Sequence, residues 1–238
     1  PTGQLQLSGG TLYGTVQGGN GYGAVFKLGT DGNGFQVLKS FATTAEGAHP
    51  VAGLWLNVAT LFGTTRAGGA DDVGTVFKVS TSGSQFAVLK SLTFSREGIH
   101  PGGQLARAGA TLYGTTRNSA HAGSGTAYKL NADGSGFAVL HRFGAAWADG
   151  IEPRGGVTRV GNTLFGTTAA GGESGNGTVF RLDTSGTNYA VLKSFSSSAW
   201  ADGFSPLGGL VCASNQLYGT TTEGGGGYGS IYSLHTNG

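Results

Sequence analysis

The segment Leu61-Phe62-Gly63-Thr64-Thr65 occurs, with small changes, five times along this chain. The copies begin at Leu12, Leu61, Leu112, Leu164 and Leu217, so successive copies lie 49, 51, 52 and 53 residues apart. A fixed period of this length is typical of solenoids and propellers. Residues common to all copies are therefore expected to build the repeat, and function is to be sought where one copy differs from the others.

Each copy is followed by a glycine-rich loop and by two further apolar phrases, exemplified by Gly74-Thr-Val-Phe-Lys-Val79 and Phe86-Ala-Val-Leu-Lys-Ser91. A loop ending in proline then leads to a short apolar segment such as Gly53-Leu-Trp-Leu56. Four short runs rich in Val, Phe, Tyr and Thr, separated by glycine turns, predict four β-strands per unit. Four strands in a repeat of about 40 to 50 residues are typical of a propeller blade. The sequence predicts an all-β, five-bladed β-propeller of four-stranded antiparallel blades, closed into a single domain over 1–238.

The last unit is predicted to lack its outer strand. The chain opens at the first strand of a unit and closes after Leu234, just past a third strand. The run Gly229–Leu234 is then an exposed edge, which either stays open or pairs with another segment or molecule. Because the chain contains no Met, we expect it to be a processed chain or a fragment.

Three phrases carry a family resemblance: Leu112-Tyr-Gly-Thr-Thr116, Gly74-Thr-Val-Phe-Lys-Val79, and the loop that runs from Glu46-Gly47 through Pro50 to Gly53-Leu54. Together with their other copies they cover nearly the whole chain. They resemble the GloVer tandem repeats of secreted and surface-anchored bacterial proteins. The resemblance implies a propeller repeat and an exported setting, and it implies no particular reaction.

Composition narrows the classes of function. A formal net charge of +2 is not that of a nucleic-acid-binding domain, and no apolar run approaches the ~18 residues needed to cross a bilayer. The single cysteine, Cys212, cannot form an internal disulfide, and we interpret it as a small apolar residue of an inner strand. We therefore expect no nucleic-acid partner and no membrane insertion.

Propeller topology places two sets of loops on one face: those joining strands two and three, and those that lead into the next unit. That face is predicted to be acidic and to favour cationic ligands or metals. Four of its acids precede glycine at one repeat position, where a turn role is the alternative. Arg66, Arg96 and Arg117 oppose the acids, which are Glu46, Asp71, Asp72, Glu97, Asp149, Glu152, Glu173, Asp202 and Glu223.

The residue before the repeated proline differs from unit to unit: His49, His100, Glu152 and Ser205. Pseudo-symmetry predicts that these four side chains surround the mouth of the central channel. Two imidazoles and a carboxylate form a candidate site for a divalent metal such as Zn, Fe or Mn. The alternatives are direct contact with a polar ligand, joined by Arg66 and Arg117, and a purely structural role.

Trp147 and Trp200 occupy matching places in two neighbouring loops, and the corresponding loops of the first two units have no tryptophan. An exposed indole beside acids suits a sugar ring, so we predict that both contact a ligand; the alternative is that they fill space between loops. Tyr22 and Tyr228 are candidates for a similar role, whereas Trp55 is predicted to lie in the core.

No familiar catalytic motif is present. The chain has no Gly-x-Ser-x-Gly elbow, no His-Glu-x-x-His and no phosphate-binding loop. Paired carboxylates of different units, for example Asp149 and Glu152 opposite Glu97, could serve a glycan hydrolase or lyase if the fold holds them at a suitable separation. We therefore expect a secreted, glycan-binding propeller; an enzyme centred on the His49, His100 and Glu152 positions and a surface or filament subunit are the alternatives.

Overall fold

A computed structural model describes residues 3–18, 21–95, 97–119, 124–196 and 203–238. The fold is all-β, and one turn of 3-10 helix spans Thr44–Glu46. No helix in these ranges has the length and apolar character needed to cross a membrane. The strands, in chain order, are β1 (Gln6–Ser8), β2 (Thr11–Val16), β3 (Ala24–Gly29), β4 (Gln36–Ser40), β5 (Trp55–Asn57), β6 (Thr60–Thr65), β7 (Thr75–Ser80), β8 (Phe86–Ser91), β9 (Ile99–Pro101), β10 (Ala106–Ala108), β11 (Thr111–Asn118), β12 (Thr126–Asn131), β13 (Ala138–Arg142), β14 (Gly150–Ile151), β15 (Thr158–Val160), β16 (Thr163–Thr168), β17 (Ala170–Gly171), β18 (Thr178–Asp183), β19 (Ala190–Ser194), β20 (Val211–Ala213), β21 (Gln216–Thr220) and β22 (Ile231–His235).

Within the described ranges, each repeat unit forms one antiparallel sheet. The sheets run β1-β2-β3-β4, β5-β6-β7-β8, β10-β11-β12-β13, β15-β16-β18-β19 and β20-β21-β22. Strand β9 adds to the third sheet, and β14 pairs separately with β17. The predicted four strands per unit are thus confirmed for the first four units. The fifth sheet has three described strands, as predicted, and β22 is its edge.

The recurring Leu-Tyr/Phe-Gly-Thr phrase is the second strand of each sheet. Its glycine stands opposite an aromatic residue of the third strand, as Gly63 does opposite Phe77. A Cβ on Gly63 would come within 2.6 Å of the Phe77 ring, so this position leaves no room for a side chain. The same packing explains why the glycine recurs in all five copies.

Successive sheets pack face to face and bury the core between them. The first and second sheets share a cluster that includes Tyr13, Val25, Leu54, Leu61 and Phe77. Corresponding clusters join the second sheet to the third, the third to the fourth and the fourth to the fifth. The core therefore lies between units rather than within them, and each unit depends on its neighbours for stability.

The predicted closure of five units into a ring is not seen in the described residues. Ile231 of the last sheet is 84% exposed, although its counterparts in the first, second and fourth sheets, Val25, Val76 and Val179, are fully buried. Leu5, just before β1, is 44% exposed, whereas its counterpart Leu54 is fully buried. In the described residues the first and last units do not bury these faces against each other, so closure of five units into one domain stays a prediction.

One hairpin carries an avoidable strain. Val58 joins β5 to β6 with a φ of 53°, a left-handed conformation that is costly for a β-branched residue. Its side chain is almost wholly exposed, so its replacement loses no packing. We expect Val58→Asn to stabilise the fold by about 1 kcal/mol and to raise Tm by about 2–4 °C in thermal unfolding.

The reciprocal change is the control for this prediction. Gly109 occupies the equivalent turn of the third unit with a φ of 58°, and a Cβ placed there meets no atom within 4 Å. Gly109→Val should therefore lower stability by about 1–2 kcal/mol through backbone strain alone. An unchanged Tm in both variants would show that the left-handed turn carries no cost.

Candidate ligand-binding site

The residues before the repeated prolines share one backbone conformation and one backbone hydrogen bond. His49, His100, Glu152 and Ser205 all have φ between 54° and 57°. Each donates its N–H to a carbonyl oxygen of the preceding unit, at 2.8–3.0 Å. The four side chains, called the pre-proline residues below, therefore occupy equivalent positions despite their different chemistry.

The loops that lead into each unit lie beside the end of that unit's second strand. Ala48 pairs with Ala67, β9 with β11, β14 with β17, and Phe204 with Glu223. These four pairings place the two sets of loops on one side of the molecule, as the topology predicts. We call the surface that they form the junction face.

Glu152 is the centre of an ion-pair cluster on the junction face. Arg117 donates Nε and Nη2 to its Oε2 at 3.3 and 3.2 Å, and Arg154 donates Nε and Nη2 to the same oxygen at 3.2 and 2.8 Å. The hydrogen bonds from Arg154 and the nearby charges outweigh burial and lower the pKa of Glu152. The carboxylate is therefore ionised at neutral pH, and the cluster carries one excess positive charge.

The two histidines differ in environment. Burial, together with the positive charges of Arg66 and Arg117, lowers the pKa of His100. His100 is therefore neutral at neutral pH, and its ring hydrogen-bonds to Asn118. His49 is exposed, and its Nδ1 lies 3.4 Å from the carbonyl oxygen of Gln17. The neutral imidazole of His100 beside guanidinium groups suits a polar or anionic ligand better than a cationic one.

The structure does not support the metal site predicted for His49, His100 and Glu152. Among the described residues, which include all three, no group of three or more His, Cys, Asp and Glu side chains is placed to hold an ion. The carboxylate of Glu152 is also bound by two guanidinium groups, with which a cation would have to compete. The residues occupy equivalent positions, as predicted, but they do not converge on one point.

Several acids of the predicted acidic face are engaged in internal contacts. The recurring turn acids bind the outer strand of their own unit: Glu46 contacts Lys39 at 2.5 Å, and Glu97 contacts Lys90 at 2.8 Å. Asp71 and Asp72 accept backbone N–H groups at 2.9 and 2.7 Å. Asp202 lies outside the described residues. The turn role weighed for these acids therefore accounts for Glu46 and Glu97, including the candidate catalytic residue Glu97.

Asp149 is the equivalent turn acid of the third unit, and its side chain is buried. Its side chain is 3% exposed and lies 3.2 Å from Nε2 of His141, which replaces the lysine of the earlier units. Its Oδ2 accepts the backbone N–H groups of Gly144 and Ala145, and Oδ1 accepts the hydroxyl of Tyr189. The rings of His141 and Tyr189 stack with their centroids 3.6 Å apart. Sequence reasoning missed this pair, although the exchange of lysine for His141 at a repeated position marks it.

Two of the candidate catalytic acids, Asp149 and Glu152, have lowered pKa values. Burial opposes ionisation of Asp149, but the hydrogen bonds from His141 and Tyr189 outweigh it and lower the pKa of the carboxyl group. Among the described carboxyl groups every resolved shift is downward: Asp31, Glu46, Asp133, Asp149 and Glu152. A glycosidase pair needs one carboxylic acid with a raised pKa. Neither Asp149 nor Glu152 meets that requirement.

Trp147 is presented to solvent by a braced loop. Its side chain is 83% exposed, between β13 and β14. The hydrogen bonds from Gly144 and Ala145 to buried Asp149 fix the backbone on either side of the turn that carries it. Because the backbone of this loop is held in place, it has less conformational entropy to lose when a ligand binds.

The other aromatic candidates differ in placement. Trp200 lies outside the described residues. Tyr228 is exposed, whereas Tyr22 packs against the core cluster between the first two sheets. Trp55 is partly buried: its ring packs against Phe62, and the guanidinium of Arg107 lies 4.8 Å from its centroid. The predicted core role of Trp55 fits this position between the second and third units.

A polar cavity of about 260 Å³ is lined by the inner segments of all five units. Glycines of every unit contribute to its walls, among them Gly3, Gly53, Gly103, Gly156 and Gly209. Arg154 adds the charged side chain, so the Glu152 cluster borders this cavity. Ser205 stands at the next pre-proline position, where its carbonyl accepts the hydroxyl of Thr222 at 3.0 Å.

The sequence of the repeat decides the family. The model of the Gloeobacter/Verrucomicrobia repeat matches residues 1–145 and 105–238, which together span the chain. The chain belongs to this repeat family. No curated protein matches it.

Solved structures resemble this member of the Gloeobacter/Verrucomicrobia repeat family in fold. A chain of a nidogen/laminin complex has a TM-score of 0.63 and 15% identity, over 95% of this chain and 72% of that one. A TolB from Acinetobacter baumannii has a TM-score of 0.60 and 11% identity, over 96% and 51%. XC5397 from Xanthomonas campestris, described as a gluconolactonase, has a TM-score of 0.57 and 17% identity, over 94% and 68%.

These similarities establish a β-propeller-like fold for the repeat family member and nothing about its ligand. The identities, 11–17%, are too low to transfer function from any of the three proteins. A fold shared by binding proteins and an enzyme leaves the function to be argued from the site itself.

Proposed function

We propose that this chain is an exported ligand-binding module, in which the five repeat sheets serve as propeller blades and the junction face binds a glycan. The observation that carries the proposal is Trp147, exposed at 83% on a loop that buried Asp149 holds in place. The apolar face of a sugar ring stacks on an indole, and its hydroxyls take hydrogen bonds from neighbouring polar groups.

The polar groups near this loop suit that ligand. Glu152 lies on the same entry loop as Trp147, five residues further along, and links it to Arg117 and Arg154. Arg66 and His49 are exposed, and neutral His100 lies within the field of both Arg66 and Arg117. Guanidinium and imidazole groups donate to hydroxyls and to carboxylates, so both neutral and acidic sugars fit this surface. Resemblance to repeats of secreted and surface-anchored proteins supports the exported location.

The test is a glycan array followed by titration of the best ligand. We expect Trp147→Ala to weaken binding about tenfold or more while leaving Tm unchanged, because the indole is exposed and makes its contacts with the ligand. Phe94→Ala is the matched control: Phe94 is also exposed, in the equivalent loop of the second unit, and its loss should leave the affinity within twofold. Absence of binding by the unaltered chain across the array would refute the proposal.

A further inference from the structure

The four interfaces between successive units follow one pattern. On one unit, the aromatic residue of the second strand and the small β-branched or alanine residue of the third strand form a trailing face, as Tyr13 and Val25 do. On the next unit, an aliphatic residue just before the first strand and the leucine of the second strand form a leading face, as Leu54 and Leu61 do. In the fourth unit the first of these two residues is Val157. All four junctions bury these positions almost completely.

At three of the four junctions a threonine hydroxyl reinforces this contact, whereas the equivalent hydroxyl of Thr64 is buried without a hydrogen-bond partner among the described residues. Thr15 donates to the carbonyl oxygen of Ala52 in the next unit at 3.0 Å, Thr115 to Gly155 at 2.8 Å, and Thr167 to Gly208 at 2.9 Å. The donors are buried because the following unit covers them.

The trailing face of the fifth unit has the same residues in the same register but lies open. Tyr218 and Ile231 are 43% and 84% exposed, although they correspond to Tyr13 and Val25. Val211 on the same sheet is also exposed, and so is Thr220, the counterpart of the buried donors Thr15, Thr115 and Thr167. A face with this composition is buried at every other junction of the molecule.

The leading face of the first unit is the complementary surface, and it is open as well. Leu5, Leu7 and Phe35 are exposed, whereas the counterparts of Leu5 in the other four units are buried. At the axis, a Cβ on Gly155 would strike the backbone of Gly208 in the next unit, but a Cβ on Gly208 would meet only Thr220. The close backbone contact between the inner segments of successive units is therefore missing beyond the fifth unit in the described residues.

Two end faces of this kind explain most of the exposed apolar surface. Seven of the eleven large hydrophobic side chains exposed in the described ranges lie on the outer faces of the first and last units: Leu5, Leu7, Phe35, Val37, Val211, Tyr218 and Ile231. Contiguous apolar surface of this extent marks an interaction site. Because the same face meets a leading face of the same repeat four times in this chain, its chemistry specifies that partner.

We propose that the trailing face of the fifth unit is a docking surface for the leading face of a further unit of the same repeat. The incoming unit supplies leucines at the positions of Leu210 and Leu217, which pack against Tyr218 and Ile231. Its inner segment supplies the carbonyl oxygen that Thr220 binds. This surface is distinct from the junction face, and the inference does not depend on the proposed function.

The register of the repeat shows how a further unit can be added to test this proposal. Leu234-His-Thr-Asn-Gly238 aligns with Leu182-Asp-Thr-Ser-Gly186, so a second copy of residues 187–238 appended after Gly238 continues the sequence in phase. The added segment supplies an outer strand for the fifth sheet and then one further unit. Ile231→Cys, in a Cys212→Ala background, reports burial of the trailing face through its rate of alkylation. We expect the appended unit to slow alkylation at least tenfold.

Two matched chains make the result specific. An extension by residues 187–196 alone adds the outer strand without the unit, and should leave alkylation within twofold of the unextended rate. A full extension with aspartate at its copies of Leu210 and Leu217 should restore fast alkylation. Equal rates for the intact and the aspartate-bearing extension would overturn the proposal. So would protection of the unextended chain that grows with its concentration, because the first unit of a second copy would then already cover this face without a sixth unit.

Discussion

Gly103→Ala is expected to destabilise the protein by about 3 kcal/mol or more, although it adds a single methyl group. A Cβ on Gly103 would fall on the backbone N and Cα of Gly156 in the next unit. Both partners are main chain, so neither can rotate away, and the two inner segments would have to separate. Urea or thermal unfolding of the variant measures the loss.

The adjacent residue provides the control. A Cβ on Gly102 has the carbonyl oxygens of Arg154 and His100 as its nearest neighbours, at 3.7 and 4.0 Å. These are ordinary van der Waals distances, so Gly102→Ala should change stability by less than about 1 kcal/mol. Similar losses in both variants would show that the backbone contact at the axis is not what Gly103 provides.

Asp149→Ala is expected to cost about 3 kcal/mol, because it leaves buried donors without an acceptor. The hydroxyl of Tyr189 and the N–H groups of Gly144 and Ala145 all lose their partner. Glu97→Ala removes the equivalent acid of the second unit, whose side chain is 30% exposed, and should cost less than about 1 kcal/mol. Equal losses in the two variants would contradict the burial argument.

The contribution of Asp149 also depends on pH. The folded protein lowers its pKa below the ordinary value of 3.8, so the stabilisation is fully present above that value. It declines as the pH falls through the lower pKa of the folded state. The difference in unfolding free energy between the unaltered chain and Asp149→Asn should therefore be constant near neutral pH and shrink below about pH 4. A difference that grew on acidification would indicate that Asp149 has a raised pKa instead.

Repetition made the unit predictable. A phrase as regular as Leu61-Phe62-Gly63-Thr64-Thr65 fixes the second strand of each sheet, and the glycine-rich turns fix the strands around it. The three-stranded last sheet followed from counting phrases. Closure of the ring did not follow, because the angle between neighbouring sheets depends on how their faces pack, and no period in the sequence records it.

The positions of the candidate site residues were predictable from the sequence, whereas their ionisation was not. The deviations at His49, His100 and Glu152 marked equivalent positions, since a proline follows each of them. Their ionisation depends on contacts that the sequence does not display: Arg117 and Arg154 both reach Glu152. Likewise, a count of acids on one face could not reveal that Lys39 and Lys90 lie close enough to Glu46 and Glu97 to neutralise them.

At the pre-proline residues the left-handed backbone conformation is the same while the side chains differ. Glycine adopts that conformation at the lowest cost, yet none of the four pre-proline residues is a glycine. The turn is held by main-chain hydrogen bonds, so imidazole, carboxylate and hydroxyl groups are carried on an identical frame. These positions therefore accept different side chains on the same backbone. Each could be substituted separately to change what this surface binds, without altering a strand.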